Sequence, residues 1–307
     1  MRWFETPNYN FTSYRYLGYL VSGFFIVLAI LTISIRGLEY GIDFTGGKQF
    51  VLEFQTQPDI TAIKQNLTQS LGKAPEVKTF GSPTEVLVLV DSDKATNHLQ
   101  DLIGQSTQQL YPGDEVRFIK TDVVGPSFAH DLKASAIQAI LFSVAVIFIY
   151  ILIRFKQWTF SVGAILALAH DVLITLGIVV LLQGFMPFSL EINQPMIAAF
   201  LTIVGYSIND TVVVFDRIRE NLTKYKSETY ETLINKSINE TLSRTTITSL
   251  TTIFVVTVLF LFGGESLKSF TFSLLIGLIV GTYSSVVIAS NIALELHERY
   301  YKKELQR

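Results

Sequence analysis

Met196–Arg217 reads MIAAFLTIVGYSINDTVVVFDR, and Met196–Phe215 within it holds a single charged side chain, Asp210. About twenty apolar residues in a helix rise ~30 Å, the depth of a bilayer's hydrocarbon core. An Asp at the centre of such a helix costs about 2.5–3.5 kcal/mol on insertion scales, so a chain that keeps one there has a use for it. Working outward, five more runs have the same character: Leu17–Ile35, Ala134–Ile153, Phe160–Leu182, Ile247–Phe262 and Phe270–Leu294. The Ile247 run is short and extends back through Arg244, whose long side chain can snorkel. The chain is therefore read as a polytopic α-helical membrane protein with six transmembrane helices.

Composition agrees. Hydrophobic residues make up 49% and charged residues 16% of the chain, and the mean hydropathy is +0.40. A net charge of −2 offers nothing to nucleic acid, and the lack of cysteine excludes disulfides and thiolate metal sites. The first run follows Arg2 and Arg15, as a secretory signal would. The following Arg36-Gly37-Leu38-Glu39 has no small-residue cleavage site, so the run is read as a retained helix.

Lys and Arg in the short loops give the orientation. Arg154 and Lys156 lie between spans two and three, and Arg217, Arg219, Lys224, Lys226 and Lys236 lie between four and five. Loop three–four has none, loop five–six has Lys268, and the tail has Arg299, Lys302, Lys303 and Arg307. Both termini are then cytoplasmic. The expected layout is a cytoplasmic N-terminus and first helix over 1–36, an extracytoplasmic domain over 37–133, a five-helix bundle over 134–295 and a cytoplasmic tail over 296–307.

Within the outer segment, Lys48–Phe54 alternates as a strand, and Ile60–Leu71 has helical spacing. Glu76–Phe80 and Glu85–Val90 follow as strands, then Asn97–Leu110 as a helix and Glu115–Val124 as a strand. That order, β-α-β-β-α-β, predicts an α+β ferredoxin-like domain between helices 1 and 2. The pattern recurs in unrelated functions and says little alone.

The candidate chemistry lies in the membrane. Arg244, Thr248, Thr251 and Thr252 recur at i, i+4, i+7 and i+8, a polar stripe on the fifth helix. Asp210 and this stripe are expected to form a charge-balanced track in which protonating Asp210 releases it from Arg244; the plain alternative is a fixed ion pair stapling two helices. Asn209 and Thr248 flank the pair. His170 and Asp171, mid-span in the third helix, suggest either coupling or packing; neighbours point about 100° apart, so their side chains are not expected to face each other. Asp216 and Arg217 read as a solvated helix end. Ser273, Gly277 and Gly281 form a small-residue ladder, read as a packing seam. Gly41–Gly47 has neither a Walker nor a dinucleotide pattern, and its glycines read as a turn into the first strand. The four histidines lack metal-ligand spacing, so no metal or cofactor is expected.

Seven motifs in order resemble the SecF branch of the SecD/SecF family, within the resistance–nodulation–division superfamily. They are GIDFTGG (Gly41–Gly47), VGPS (Val124–Ser127), HDVL (His170–Leu173), GYSINDTVVVFDRIRE (Gly205–Glu220), SRTTITSLTT (Ser243–Thr252), LFGG (Leu261–Gly264) and GLIVGTYSS (Gly277–Ser285). The resemblance implies an accessory subunit of the Sec preprotein translocase in the bacterial inner membrane. Such a subunit couples the proton motive force to late, ATP-independent protein export and is no enzyme. It implies Asp210 and Arg244 as the proton-coupling residues. It implies SecD as heterodimer partner, and the SecYEG translocon channel, an unfolded secretory protein and membrane lipid as further contacts. Two other readings compete: a proton-driven small-molecule exporter half of the same superfamily, and a non-transporting membrane scaffold.

Overall fold

The computed structural model describes residues 7–92, 94–264 and 267–304, with side chains through Tyr300. Arg2 and Arg307, and the side chains of Lys302 and Lys303, all part of the charge pattern above, lie outside this description. In chain order the elements begin with α1 (Arg15–Arg36), α2 (Ile42–Thr45), β1 (Gly47–Glu53), α3 (Ile60–Leu71), β2 (Glu76–Phe80) and β3 (Ser82–Val90). There follow α4 (Thr96–Leu110), β4 (Arg117–Val124), α5 (Pro126–Phe155), α6 (Trp158–Leu182), α7 (Gln194–Lys224) and α8 (Tyr230–Phe262). The last described run is α9 (Lys268–Ser284), one π-helical turn (Ser285–Ala289) and α10 (Ser290–Glu304). Six of these runs are long and apolar enough to cross a membrane, as expected from the sequence.

The chain divides into two compact units. One comprises Leu38–Gln138 with Leu182–Gln194; the other comprises the described residues of Met1–Gly37, Ala139–Leu181 and Pro195–Arg307.

In the smaller unit the four strands form an antiparallel sheet in the order β2-β3-β1-β4, the ferredoxin-like arrangement. Alternation sends Phe50, Leu52, Val86 and Val88 into a core with Ile63 and Leu67 of α3 and Leu99 and Ile103 of α4. Asp59 starts α3 by accepting from the Thr61 and Ala62 amides, and Gly72 ends it at φ +76°. The intervening residues Val51 and Leu87, paired in register, are buried as well. Segment 182–194, which has no predicted element, joins this unit and buries Phe188, Leu190 and Ile192. The Ile192 amide donates to Glu39 O at 2.8 Å and Gly41 N donates back to Ile192 O at 2.9 Å. Lys78 reaches Glu76, Glu39 and Glu191 at 2.6, 3.1 and 2.9 Å. Burial alone would lower the Lys78 ammonium's pKa, but the bonds to Glu76 and Glu191 outweigh it and the net shift is upward.

The two motifs flanking the sheet meet. Gly46 (φ +73°) has room for no side chain, since a Cβ there would lie 3.2 Å from Pro126 Cα. Asp43, in the same glycine-rich turn, accepts from the Gln194 amide at 2.8 Å and so caps the first residue of α7.

In the larger unit Phe155, Phe160 and Phe215 cluster with Val214, Ile218, Ile234 and Ile238. Small residues set how closely the helices approach. A Cβ on Gly277 would fall 2.2 Å from Ile203 Cδ1, and one on Gly177 would fall 2.2 Å from Ala29 Cβ. Ser273, Gly277 and Gly281 are all buried, so the ladder on α9 is a packing seam as read from the sequence. Residues ahead of α1 are fastened to α8: Phe11 N donates to Asn235 Oδ1, and Tyr9 exchanges two bonds with the Asn239 amide.

Candidate functional site

Asp210 is 3% exposed on the inward face of α7. Its Oδ2 accepts one hydrogen bond, from Ser249 Oγ on α8 at 3.3 Å, and Ser249 accepts in turn from Thr282 of α9 at 2.8 Å. Three helices thus meet at one carboxylate through hydroxyl groups. Two buried hydroxyls nearby have no partner among the described residues: Thr245, one turn before Ser249, and Tyr206, one turn before Asp210. A threonine in a helix ordinarily back-bonds to the carbonyl four residues earlier. Thr245 does not, so it retains a donor that a shifted α7 could meet.

Arg244 makes no direct bond to Asp210 here. Its side chain is exposed, and among the described residues no hydrogen bond or ion pair joins the two, yet its guanidinium is near enough to act on the carboxylate electrostatically. The two sit apart in this conformation because Arg244 lies on a different face of α8 from Ser249. The threonine stripe behaves likewise: Thr248, Thr251 and Thr252 donate to carbonyls of their own helix, at Arg244, Ile247 and Thr248. The residue that reaches the acid, Ser249, lies one position beyond the stripe's Thr248. A stripe drawn through Arg244 and Thr248 selects the outer face, whereas Thr245 and Ser249 form the inner one.

That outer face has its own pattern. Exposed positions on α7 include Thr202, Gly205 and Asn209, while α8 exposes Arg244 and Thr251 with Thr248 half-buried. Asn209 thus sits beside Asp210 in sequence but looks away from it. By contrast, α5 exposes Leu141, Phe142, Ile149 and Ile153, a surface suited to lipid.

His170 and Asp171 form a second centre. Asp171 is fully buried on α6; its Oδ2 accepts from Ser207 of α7 at 2.5 Å and from Ser284 of α9 at 2.8 Å. Its Oδ1 lies 2.8 Å from Nδ1 of His170, and Nε2 of that ring lies 2.9 Å from Ser22 Oγ on α1. The expectation that these neighbours do not face each other is corrected. The 100° rule fixes Cβ directions, but an imidazole and a carboxylate each reach far enough to curl together. Gly281 makes room for the cluster, since a Cβ there would sit 3.1 Å from Ser207 Cβ. Neither Ser207 nor Ser284 stood out in the sequence; each is one of many small residues, and only packing singles them out. Asp216 and Arg217 have substantially exposed side chains, as read from the sequence, with Asp216 paired to Arg154 at 2.7 Å and Arg217 near Glu220 and Glu240.

This geometry can be set beside known proteins. Residues 104–299 match the model described as protein export membrane protein SecD/SecF, C-terminal, and residues 32–58 match the SecD/SecF GG motif. The chain belongs to the SecD/SecF family, on its SecF side. A protein translocase subunit SecF from Rhodothermus marinus is 52% identical over 97% of this chain and 96% of its own length. The Haemophilus influenzae SecF is 37% identical over 94% of this chain and 86% of its own. Among solved structures, SecDF from Thermus thermophilus, titled a translocon-associated membrane protein, superposes with a TM-score of 0.83 at 34% identity. It covers 95% of this chain, which in turn spans 39% of the SecDF chain. SecDF in its super-membrane-facing form gives a TM-score of 0.72 at 33% identity, covering 99% of this chain and 41% of that one. The GG motif of the family falls on the Gly46–Gly47 turn, and its C-terminal region holds both carboxylate centres. With six apolar helices and this membership, the chain is a multi-pass membrane protein.

Proposed function

We propose that this chain is the SecF subunit of a bacterial Sec preprotein translocase, working with SecD in the inner membrane to promote late, ATP-independent export at the expense of the proton motive force. Family membership supports the broad role in Sec-associated protein translocation. The observation that carries the proton step is Asp210: a buried carboxylate within a spanning helix, held by one 3.3 Å hydroxyl bond, with Arg244 acting on it electrostatically but not in direct contact. Charged and protonated forms of such a group differ sharply in their demand for partners. When ionised, Asp210 draws the guanidinium of Arg244 and the free hydroxyl of Thr245; when protonated, it rests on Ser249. Alternation between these two sets of contacts shifts α7 against α8. One charge moved through 100 mV is worth about 2.3 kcal/mol, enough to bias such a two-state bundle.

SecD is the partner that this reading requires. The exposed polar positions Thr202, Asn209, Arg244 and Thr251 are poor lipid neighbours and suit a second set of helices, and the SecDF chains that superpose on this one are more than twice as long. The small α/β unit is assigned to the extracytoplasmic side and both termini to the cytoplasm. There the unit would meet an unfolded secretory chain emerging from the SecYEG channel.

The test is export of a secretory precursor by membrane vesicles carrying matched SecD and this chain, with and without an imposed proton gradient. Asp210→Asn is expected to remove the gradient-dependent component and leave the ATP-driven one. Full gradient dependence in that variant would make Asp210 structural and return the chain to the scaffold reading.

A further inference from the structure

His170 and Asp171 form a second ionisable pair, and counting protons along its hydrogen bonds fixes its state. Tyr283 has one hydroxyl proton and donates it to Gly18 O at 3.0 Å. The 3.2 Å contact between Ser22 Oγ and the Tyr283 hydroxyl is then made by the proton of Ser22. With that proton committed, Ser22 Oγ accepts from His170, so Nε2 carries a hydrogen. On the other side, Asp171 Oδ2 lies 2.5 Å from Ser207 Oγ and 2.8 Å from Ser284 Oγ, and with both hydroxyls donating it holds no proton itself. Ser284 also lies 3.4 Å from Gly281 O, a much longer contact than its 2.8 Å bond to Asp171. One proton must therefore lie between Nδ1 and Oδ1, or two lone pairs would face each other at 2.8 Å. A second proton on Oδ2 would have to be donated to Ser284 and would leave that hydroxyl only the 3.4 Å contact with Gly281 O in place of its 2.8 Å bond to Asp171, a weak bond for a strong one. Whether the proton sits nearer nitrogen or oxygen, the pair carries no net charge.

The surroundings agree with that count. Asp171, Ser284 and Thr175 are fully buried, and among the described residues no Lys or Arg pairs with Asp171. Of the titratable groups on the helices packed against the dyad, Tyr283 on α9 has its ring 6.2 Å from that of His170, and Asp210 sits one turn along α7 from Ser207; α1 bonds the dyad through Ser22. A net-neutral pair in low dielectric avoids the cost of an isolated buried charge and feels no pull from the membrane potential. It can hold α6, α7 and α9 in place while the charge on Asp210 changes.

We infer that His170 and Asp171 are positioning residues for Asp210: a closed one-proton dyad that ties α6 to α7 through Ser207 and to α9 through Ser284, without exchanging protons during the cycle. This rests on the reading of Asp210 as the coupling acid. It distinguishes the two carboxylates by chemistry, since an amide can replace Asp171 but not Asp210. In Asp171→Asn the amide oxygen still accepts from both serines, while the NH₂ group donates to Nδ1.

The experiment has two arms on the full chain with SecD. In the first, His98, His130 and His297 are replaced by glutamine and His170 is followed by nitrogen NMR. The expected result is a ring whose Nε2 carries hydrogen and whose Nδ1 shows the signature of a shared proton with Asp171; a lone Nδ1–H tautomer, with Nε2 bare, overturns the dyad. The second arm measures the pH profile of gradient-dependent export. Asp171→Asn should keep the wild-type profile with a rate within about twofold, as expected when all four hydrogen bonds can be remade. Ser207→Ala and Asp171→Leu, at wild-type abundance, should shift the profile. A loss in Asp171→Asn as complete as in Asp210→Asn would mean that Asp171 itself releases a proton. An unmoved profile in Ser207→Ala would mean that the clasp positions nothing. The first arm reads the dyad whatever Asp210→Asn does, so failure of the dyad and failure of the proton-machine reading are separable.

Discussion

At the scale of single residues, the membrane acids differ in what they are bonded to rather than in how deeply they lie. Asp210 and Asp171 are both buried, yet the first has one long hydroxyl bond and the second has three short partners. A hydrogen bond between neutral groups, as Ser249 makes with protonated Asp210, is worth about 0.5–1.5 kcal/mol. Ser249→Ala should therefore change the population of the Ser249-bound state roughly fivefold, seen as a several-fold drop in gradient-dependent export at constant protein level. Outside the spanning helices, Asp114 shows the same principle at a buried position of the smaller unit. The Gln55 amide holds its carboxylate below the usual range against partial desolvation, aided by the Thr56 amide and hydroxyl. Because the folded value is depressed, this stabilisation is complete above the unfolded carboxylate pKa of about 3.9 and disappears as pH falls through the folded value. Protection of the Gln55 and Thr56 amides from exchange, relative to their intrinsic rates at each pH, should fall below about pH 4 in wild type, and at every pH in Asp114→Ala.

At the scale of elements, contact between helices depends on positions without side chains. Gly277 on α9 lets Ile203 of α7 lie where a Cβ would be, and Gly163 on α6 lets the backbone oxygen of Ala289 approach within 2.9 Å of that point. Overpacking of this kind costs about 1–3 kcal/mol. Gly277→Ala should lower the melting temperature in detergent, and Ile203→Ala should restore part of the loss in the double variant, because the clash is with a side chain that can be trimmed. Gly163→Ala should be damaging without such a rescue, since its obstacle is main chain. That obstacle belongs to the π turn Ser285–Ala289, where Ser290 Oγ donates to Ser285 O at 3.1 Å. The turn resets the helix face between Ser284, which bonds Asp171, and the Ala289–Leu294 stretch packed in the aromatic core.

At the scale of the molecule, the surface is uneven in a way a lone membrane protein does not need. The α5 surface is apolar, while α7 and α8 expose Thr202, Asn209, Arg244 and Thr251 within spanning segments. Polar groups facing hydrocarbon cost free energy unless another helix covers them. Asn209→Leu together with Thr251→Leu should reduce SecD co-purification roughly tenfold if about 1.4 kcal/mol of interhelical bonding is lost. Phe142→Leu on α5 should leave it unchanged. Equal loss in both variants would place the partner elsewhere.

The six spans, the order of strands and helices around the sheet, and a lone acid, Asp210, buried within a span were legible in the chain itself. Each rests on local periodicity or on the cost of one charge in hydrocarbon, and neither needs a neighbour to be recognised. The tertiary structure alone decided that Ser249, and not Arg244, bonds Asp210 directly. It alone showed that Asp171 is bound by His170, Ser207 and Ser284, and that segment 182–194 belongs with the sheet. Serines and threonines are too common in membrane helices to mark a site by type, and helical spacing cannot say which face of α8 turns inward. Those choices are made by the close packing of α6, α7, α8 and α9, where a residue with no side chain matters as much as one that carries charge.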